Sequence, residues 1–214
     1  TYLANSIFTN STVNATQFDK CTMPKSNFNQ ARISNTSFTN CSLENSELNK
    51  TKISECSFYI TNLYSVSFID SNISTTSFKL EKCDVFNSSE RDANFRLFCY
   101  VKFFGANLLN CHFDYVVAYE LEFVNKDLFN RIFNPEQLKI ARIKNCIFNN
   151  SYIYSLISFR DNRDIDEHIF IECNFTDCLL DMSTDRDSYS KYYDVSSITN
   201  GIFTNCSATN VTFK

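Results

Sequence analysis

The sequence predicts an all-β solenoid, a parallel β-helix with four-sided coils, and three observations carry that expectation. Large apolar residues recur every five positions over most of the chain. Phenylalanine and aliphatic residues alternate at those positions, which adds a second period of ten. The 214 residues include only 2 Gly and 2 Pro, too few for a globule that turns on glycine and proline. Asn, Ser, Thr and Asp, all abundant, must make the corners instead.

The five-residue frame starts at Leu3 and runs through Phe8, Val13, Phe18, Met23, Phe28, Ile33 and Phe38 to Phe78, sixteen stations without a miss. It falters at Cys83, Ser88 and Ala93, resumes at Phe98 and continues to Ile153, with Ala118 small. On an α-helix five residues rotate by about 500°, so the stripe would smear around the cylinder. On one straight strand alternate stations would face opposite sides. The pattern makes sense if the chain turns a corner within every five residues.

Two residues before each station the side chain is small: Ser6, Ser11, Thr16, Cys21, Ser26, Ala31, Thr36 and Cys41 begin the series. Residues two apart on an extended segment share a face. A small and a large residue therefore point inward together, and three polar positions point out. Phe holds stations 8, 18, 28, 38, 58, 68 and 78, broken only by Leu48, while aliphatic residues hold the stations between. On a four-sided coil a period of ten places Phe on two opposite walls and aliphatic residues on the other two. Coils stack about 4.8 Å apart, within reach of offset ring stacking.

The units Ala106-Asn107-Leu108 and Ala93-Asn94-Phe95, with degenerate forms Cys41-Ser42-Leu43, Ser26-Asn27-Phe28 and Cys173-Asn174-Phe175, resemble the A(D/N)Lxx repeat of the pentapeptide-repeat family. The resemblance covers about residues 1–158 and patches to 213. It implies a right-handed quadrilateral parallel β-helix with four repeats per coil. The chain departs from the family pattern in two ways. Its small interior slots hold Ser, Thr and Cys more often than Ala, and its final third loses frame.

Residues 1–158 are expected to form the regular β-helix, with a break near 79–94. A short helical interruption is expected near 134–142, where Asn134 suits an N-cap and Pro135 the first helical position. Residues 159–214 continue the solenoid with insertions at 160–169 and 181–200. Phe170, Phe175 and Leu180, then Phe203, Ala208 and Phe213, restore the spacing in new frames. A chain that opens on Thr and stops just after a station suits a piece of a longer protein.

Catalytic chemistry finds little footing. The only histidines are His112, beside a station, and His168, in an insertion. Two glycines, Gly105 and Gly201, cannot build a phosphate loop. Eight of the ten cysteines (Cys21, Cys41, Cys56, Cys111, Cys146, Cys173, Cys178 and Cys206) occupy the small interior slot. They read as buried free thiols, spaced by the fold rather than as zinc ligands. No catalytic, metal or cofactor site is expected. Stacked thiols suit a reducing cytoplasm, including a host cytosol entered by a secreted bacterial protein.

Net charge is −4 with a pI near 5.2, which disfavours nonspecific binding to nucleic acid or anionic membrane. Residues 1–80 are balanced, with five acids and six bases, whereas 160–187 hold nine acids against three arginines. The expected partner-binding surface is Asp161, Asp164, Asp166, Glu167, Asp181, Asp185, Asp187, Tyr189, Tyr192 and Tyr193, tyrosines beside charges being common interface anchors. The expected function is a non-enzymatic scaffold that binds a protein partner, as in the repeat domain of a larger bacterial effector. The resemblance also admits a DNA-mimicking gyrase inhibitor or protection protein, and more remotely a carbohydrate-active β-helix enzyme.

Overall fold

The computed structural model describes residues 1–82, 98–119, 141–149, 151–154, 170–181, 203–204, 207–209 and 211–213. Every regular element among them is a short strand, and all pairings are parallel. The chain is a right-handed quadrilateral parallel β-helix. It visits four walls in turn, at Leu3, Phe8, Val13 and Phe18, then stacks the next coil beneath.

The third wall is an eight-stranded sheet running from Thr12–Asn14 through Arg32–Ser34, Lys52–Ser54, Asn72–Ser74, Asn107–Leu109, Arg142–Lys144 and Phe170–Ile171 to Phe203–Thr204. The fourth wall is an eight-stranded sheet from Gln17–Asp19 to Ser207–Thr209. The first wall is bridged residue by residue in the early coils, as at Tyr2, Thr22, Ser42 and Asn62. Later it becomes a five-stranded sheet from Phe98–Cys99 to Thr212–Phe213. The second wall is held by single bridges through Ile7, Asn27, Glu47, Ser67 and Lys102.

The stations fill the interior. On the fourth wall Phe18, Phe38, Phe58, Phe78, Phe113, Phe148 and Phe175 stack with centroids 4.6–5.1 Å apart. On the second, Phe8 stacks on Phe28 at 4.4 Å and Phe68 on Phe103 at 5.1 Å. The two ladders meet across the core edge to face, as Phe28 does Phe38 at 6.4 Å. Ile33, Ile53, Ile73 and Leu108 line the third wall between them, all buried.

Corners are made two residues after each station by a left-handed residue. From Asn5 to Thr75 every fifth residue has φ between 47° and 62°, and none is glycine. Several are Asn, as expected for this conformation, but Lys20, Lys50, Ile60 and Tyr100 also adopt it. Each corner amide is tied to the next coil, as Asn40 N–H is to Tyr59 O at 3.0 Å and Ile60 N–H to Lys79 O at 2.8 Å.

The small interior slot also has work beyond filling space. Its hydroxyl or thiol donates to a carbonyl of the coil above: Ser46 to Met23 O at 3.0 Å, Thr61 to Phe38 O at 2.8 Å, Ser71 to Leu48 O at 2.6 Å. Cys41 does the same to Phe18 O at 3.2 Å and Cys178 to Phe148 O at 3.2 Å. A buried acceptor otherwise left short of a partner carries a desolvation cost, which is why Ser, Thr and Cys displace Ala here.

The pairing register measures the insertions. Ile33 pairs with Ile53, 20 residues on, but Ile73 pairs with Leu108 and Leu108 with Ile143, each 35 on. Phe148 pairs with Phe175, 27 on, and Phe175 with Ala208, 33 on. The first two insertions therefore add fifteen residues each, a multiple of five, so the frame resumes unchanged. The break near 79–94 accounts for the first. The second, between Ala118 and Ile143, is concealed by the intact spacing of Phe123, Leu128, Phe133 and Leu138, which lie outside the described residues. So do 134–140 of the expected helical interruption, while Arg142 opens a strand.

Two stability measurements follow. Phe38→Ala should cost about 3–5 kcal/mol and outward-facing Ser42→Ala under about 0.5 kcal/mol in urea unfolding, and equal losses would contradict the register. Ile60→Asn, which relieves a β-branched residue in a left-handed corner, should raise stability by about 1 kcal/mol.

Candidate functional site

Catalytic groups do not converge among the described residues. His112 sits on the outer side of the fourth wall between Ser77 and Ile147 of adjacent coils, with its Nε2 3.0 Å from Asn149 Nδ2. Lys79 pairs with Asp114 at 3.0 Å and lies 5.8 Å above the Tyr115 ring, and the Asp114 contact raises its pKa. A shallow open groove follows the corner between the third and fourth walls, lined by Asn35, Ser37, Glu55, Ser57 and Thr75. Glu55 is its only ionisable surface group, so the groove has no acid–base pair. No group of three or more His, Cys, Asp or Glu able to hold a metal ion occurs among the described residues.

The thiols are interior. Cys21, Cys41, Cys56, Cys111, Cys146, Cys173 and Cys178 are buried thiols outside any disulfide, and Cys206 lies outside the described residues. Burial pushes Cys178 up to about 11 and also raises Cys41 and Cys56. Cys146 is raised by its hydrogen-bonded thiol neighbours Cys111 and Cys173 and by burial. The hydrogen bond with Cys146 instead lowers Cys111, whereas the raised thiols of Cys41, Cys56, Cys146 and Cys178 stay protonated at neutral pH and act as small apolar groups and weak donors.

What the fold does organise is the exits. The chain leaves the first-wall strands Val117–Tyr119, Tyr152–Tyr154 and Leu179–Asp181, and it next pairs on the third wall at Arg142–Lys144, Phe170–Ile171 and Phe203–Thr204. Three consecutive coils thus insert extra residues at the same place, between a first-wall strand and the third-wall strand that follows it. Of the expected partner-binding residues, Asp181 ends the last of these first-wall strands. Asp161, Asp164, Asp166, Glu167, Asp185, Asp187, Tyr189, Tyr192 and Tyr193 lie outside the described residues.

The outer side of the first wall changes along the stack. Ala4, Pro24 and Glu44 of the early coils are partly exposed, but Cys99 and Val117, at outward register positions, are 2% and 0% exposed. Tyr64 and Tyr100 meet edge to face nearby at 5.5 Å. Sequence reasoning missed this apolar outer patch, although Val117 falls in the row held by Tyr2, Thr22, Ser42 and Asn62 in the earlier coils. That departure from the polar row was its signal.

Residues 25–59 match the family model for pentapeptide repeats, with eight copies. No curated protein sequence matches the chain. Among solved structures it is similar to a trypsin-treated point variant of QnrB1, a plasmid-mediated fluoroquinolone resistance protein, at 11% identity and a TM-score of 0.46, covering 97% of this chain and 89% of that one. It is also similar to HetL, a pentapeptide repeat protein involved in heterocyst differentiation regulation in Nostoc sp. strain PCC 7120, at 10% identity and a TM-score of 0.30, covering 97% and 87%.

A thiol-reactive disulfide reagent at pH 8 should label few cysteines in the folded chain and all ten after denaturation without reductant. A shortfall after denaturation would reveal a disulfide and contradict the reading of ten unbridged thiols.

Proposed function

We propose that this pentapeptide-repeat chain is a non-catalytic interaction rod that presents inserted segments to a protein partner in a reducing compartment. The observation that carries this reading is the shared exit. Insertions in three consecutive coils all depart from the first wall and rejoin on the third. A solenoid tolerates an insertion anywhere the ladder above and below can close, so accumulation at one passage concentrates inserted sequence on one side. The candidate residues Asp161, Asp164, Asp166, Glu167, Asp181, Asp185, Asp187, Tyr189, Tyr192 and Tyr193 belong to the last two of these insertions and their edges. Acids would set orientation and encounter, and tyrosines would supply buried contact area.

The duplex-mimic reading asks for acidic rows along the rod. Third-wall strands hold Arg32, Lys52, Arg142 and Lys144 and no acid, which favours the interaction rod instead. An enzyme reading lacks a set of converging groups among the described residues to carry it.

Replacing 182–200 by a short polar turn should abolish capture of the partners that crosslink to the intact chain, while the melting transition of the remaining coils persists. Undiminished capture by a soluble variant would overturn the reading. In a supercoiling assay the intact chain should leave DNA gyrase uninhibited, and potent inhibition would replace the interaction rod by the duplex mimic.

A further inference from the structure

The third wall has an outer surface unlike the other walls. Its first outward row runs Thr12, Arg32, Lys52, Asn72, Asn107, Arg142. Its second runs Asn14, Ser34, Ser54, Ser74, Leu109, Lys144, and neither row contains an acid. The chain as a whole carries more acid than base, 24 against 20. Arg32, Lys52, Arg142 and Lys144 are all exposed. Arg32 and Lys52 are direct neighbours in the ladder, and neither has an acid partner among the described residues. Like charges on adjacent rungs weaken a sheet, and Thr12 and Asn72, one rung to either side, show that the fold accepts neutral residues there.

We propose that this wall docks an extended acidic segment of a partner protein lying along the rod axis. The surface is separate from the insertions, so it stands or falls apart from their role. The two cationic poles are three rungs apart from Lys52 to Arg142, about 14 Å at the ladder spacing, which four residues of an extended chain span. Acids four residues apart would therefore meet both poles. The stretch between is neutral and hydrogen-bonding: Asn107 Nδ2 donates to Asn72 Oδ1 at 3.0 Å, and Ser54 and Ser74 flank it. Acids at the following corner are Glu55 and Glu172, and Glu172 lies 3.6 Å from Lys144. Arg32, Lys52 and Arg142 remain for the partner.

Nucleic acid fits this surface less well. Four cations neutralise fewer phosphates than the roughly 6–10 contacts that drive strong duplex binding. Single strands are held by stacking on aromatic side chains, and neither outward row contains one.

The test is fluorescence anisotropy with a labelled dodecapeptide of alternating Glu and Ser at low ionic strength. The intact chain should bind it, with affinity falling as salt rises. Arg32→Glu with Lys52→Glu should weaken binding by about tenfold or more. Lys20→Glu with Lys25→Glu makes the same charge change at exposed corners away from the third wall and should alter binding by less than about twofold. Arg142→Glu is the second variant, expected to weaken binding at the other pole should the double variant melt early. Equal loss in the third-wall and corner variants would overturn the proposal, as would no binding by the intact chain. Tighter binding to a 20-base-pair duplex would reassign the wall to nucleic acid. Self-association that the third-wall substitutions abolish, without peptide binding, would reassign it to a second copy.

Discussion

Everything in this molecule depends on the corner. A chain that must turn every five residues spends one residue in five in the left-handed region, and apart from Gly105 none of those described is glycine. For L-residues that conformation costs about 1–2 kcal/mol each. No single repeat could hold it. It persists because each corner amide is hydrogen-bonded to the next coil and each station is clamped between the stations above and below. Stability is thus a property of the stack, and a coil is stable only in company.

Two kinds of interior group share this task. The Phe ladders supply apolar burial and edge-to-face contact across the core, as where Phe78 meets both Phe68 and Phe103 at 6.2 Å. The small slots supply hydrogen bonds that satisfy the station carbonyls in the interior. Thr51 and Ser71 show the economy: Thr51 Oγ1 donates to Leu48 O at 2.8 Å, and Ser71 Oγ reaches the same carbonyl at 2.6 Å from one coil below. With interior and corners satisfied in this way, the outward positions are free of structural duty and can carry charge, aromatic surface or insertions.

The inward pattern was legible because it has a period that no helix or straight strand can share. Phe18, Phe38, Phe58 and Phe78 give the stacking wall directly from spacing. The corner residues were not legible beyond their composition, since Lys20, Ile60 and Tyr100 carry no turn signal of their own. Their conformation is imposed by the coils on either side. The insertion between Ala118 and Ile143 was hidden because fifteen added residues leave a five-residue frame intact; pairings such as Leu108 with Ile143 expose it. For the surface, the acidic and tyrosine-bearing stretches stood out as local composition. The basic rows of the third wall did not, because residues 32, 52 and 142 become neighbours only after coil length is known.

The most direct test of the corner account is amide hydrogen exchange resolved by residue. Corner amides of Asn40, Lys50 and Ile60 should exchange as slowly as the strand amides of Ser37 and Ser57, since both donate to an adjacent coil and can open only when the stack does. Corners that exchange at the rate of solvent-exposed loops, while the strands remain protected, would contradict it.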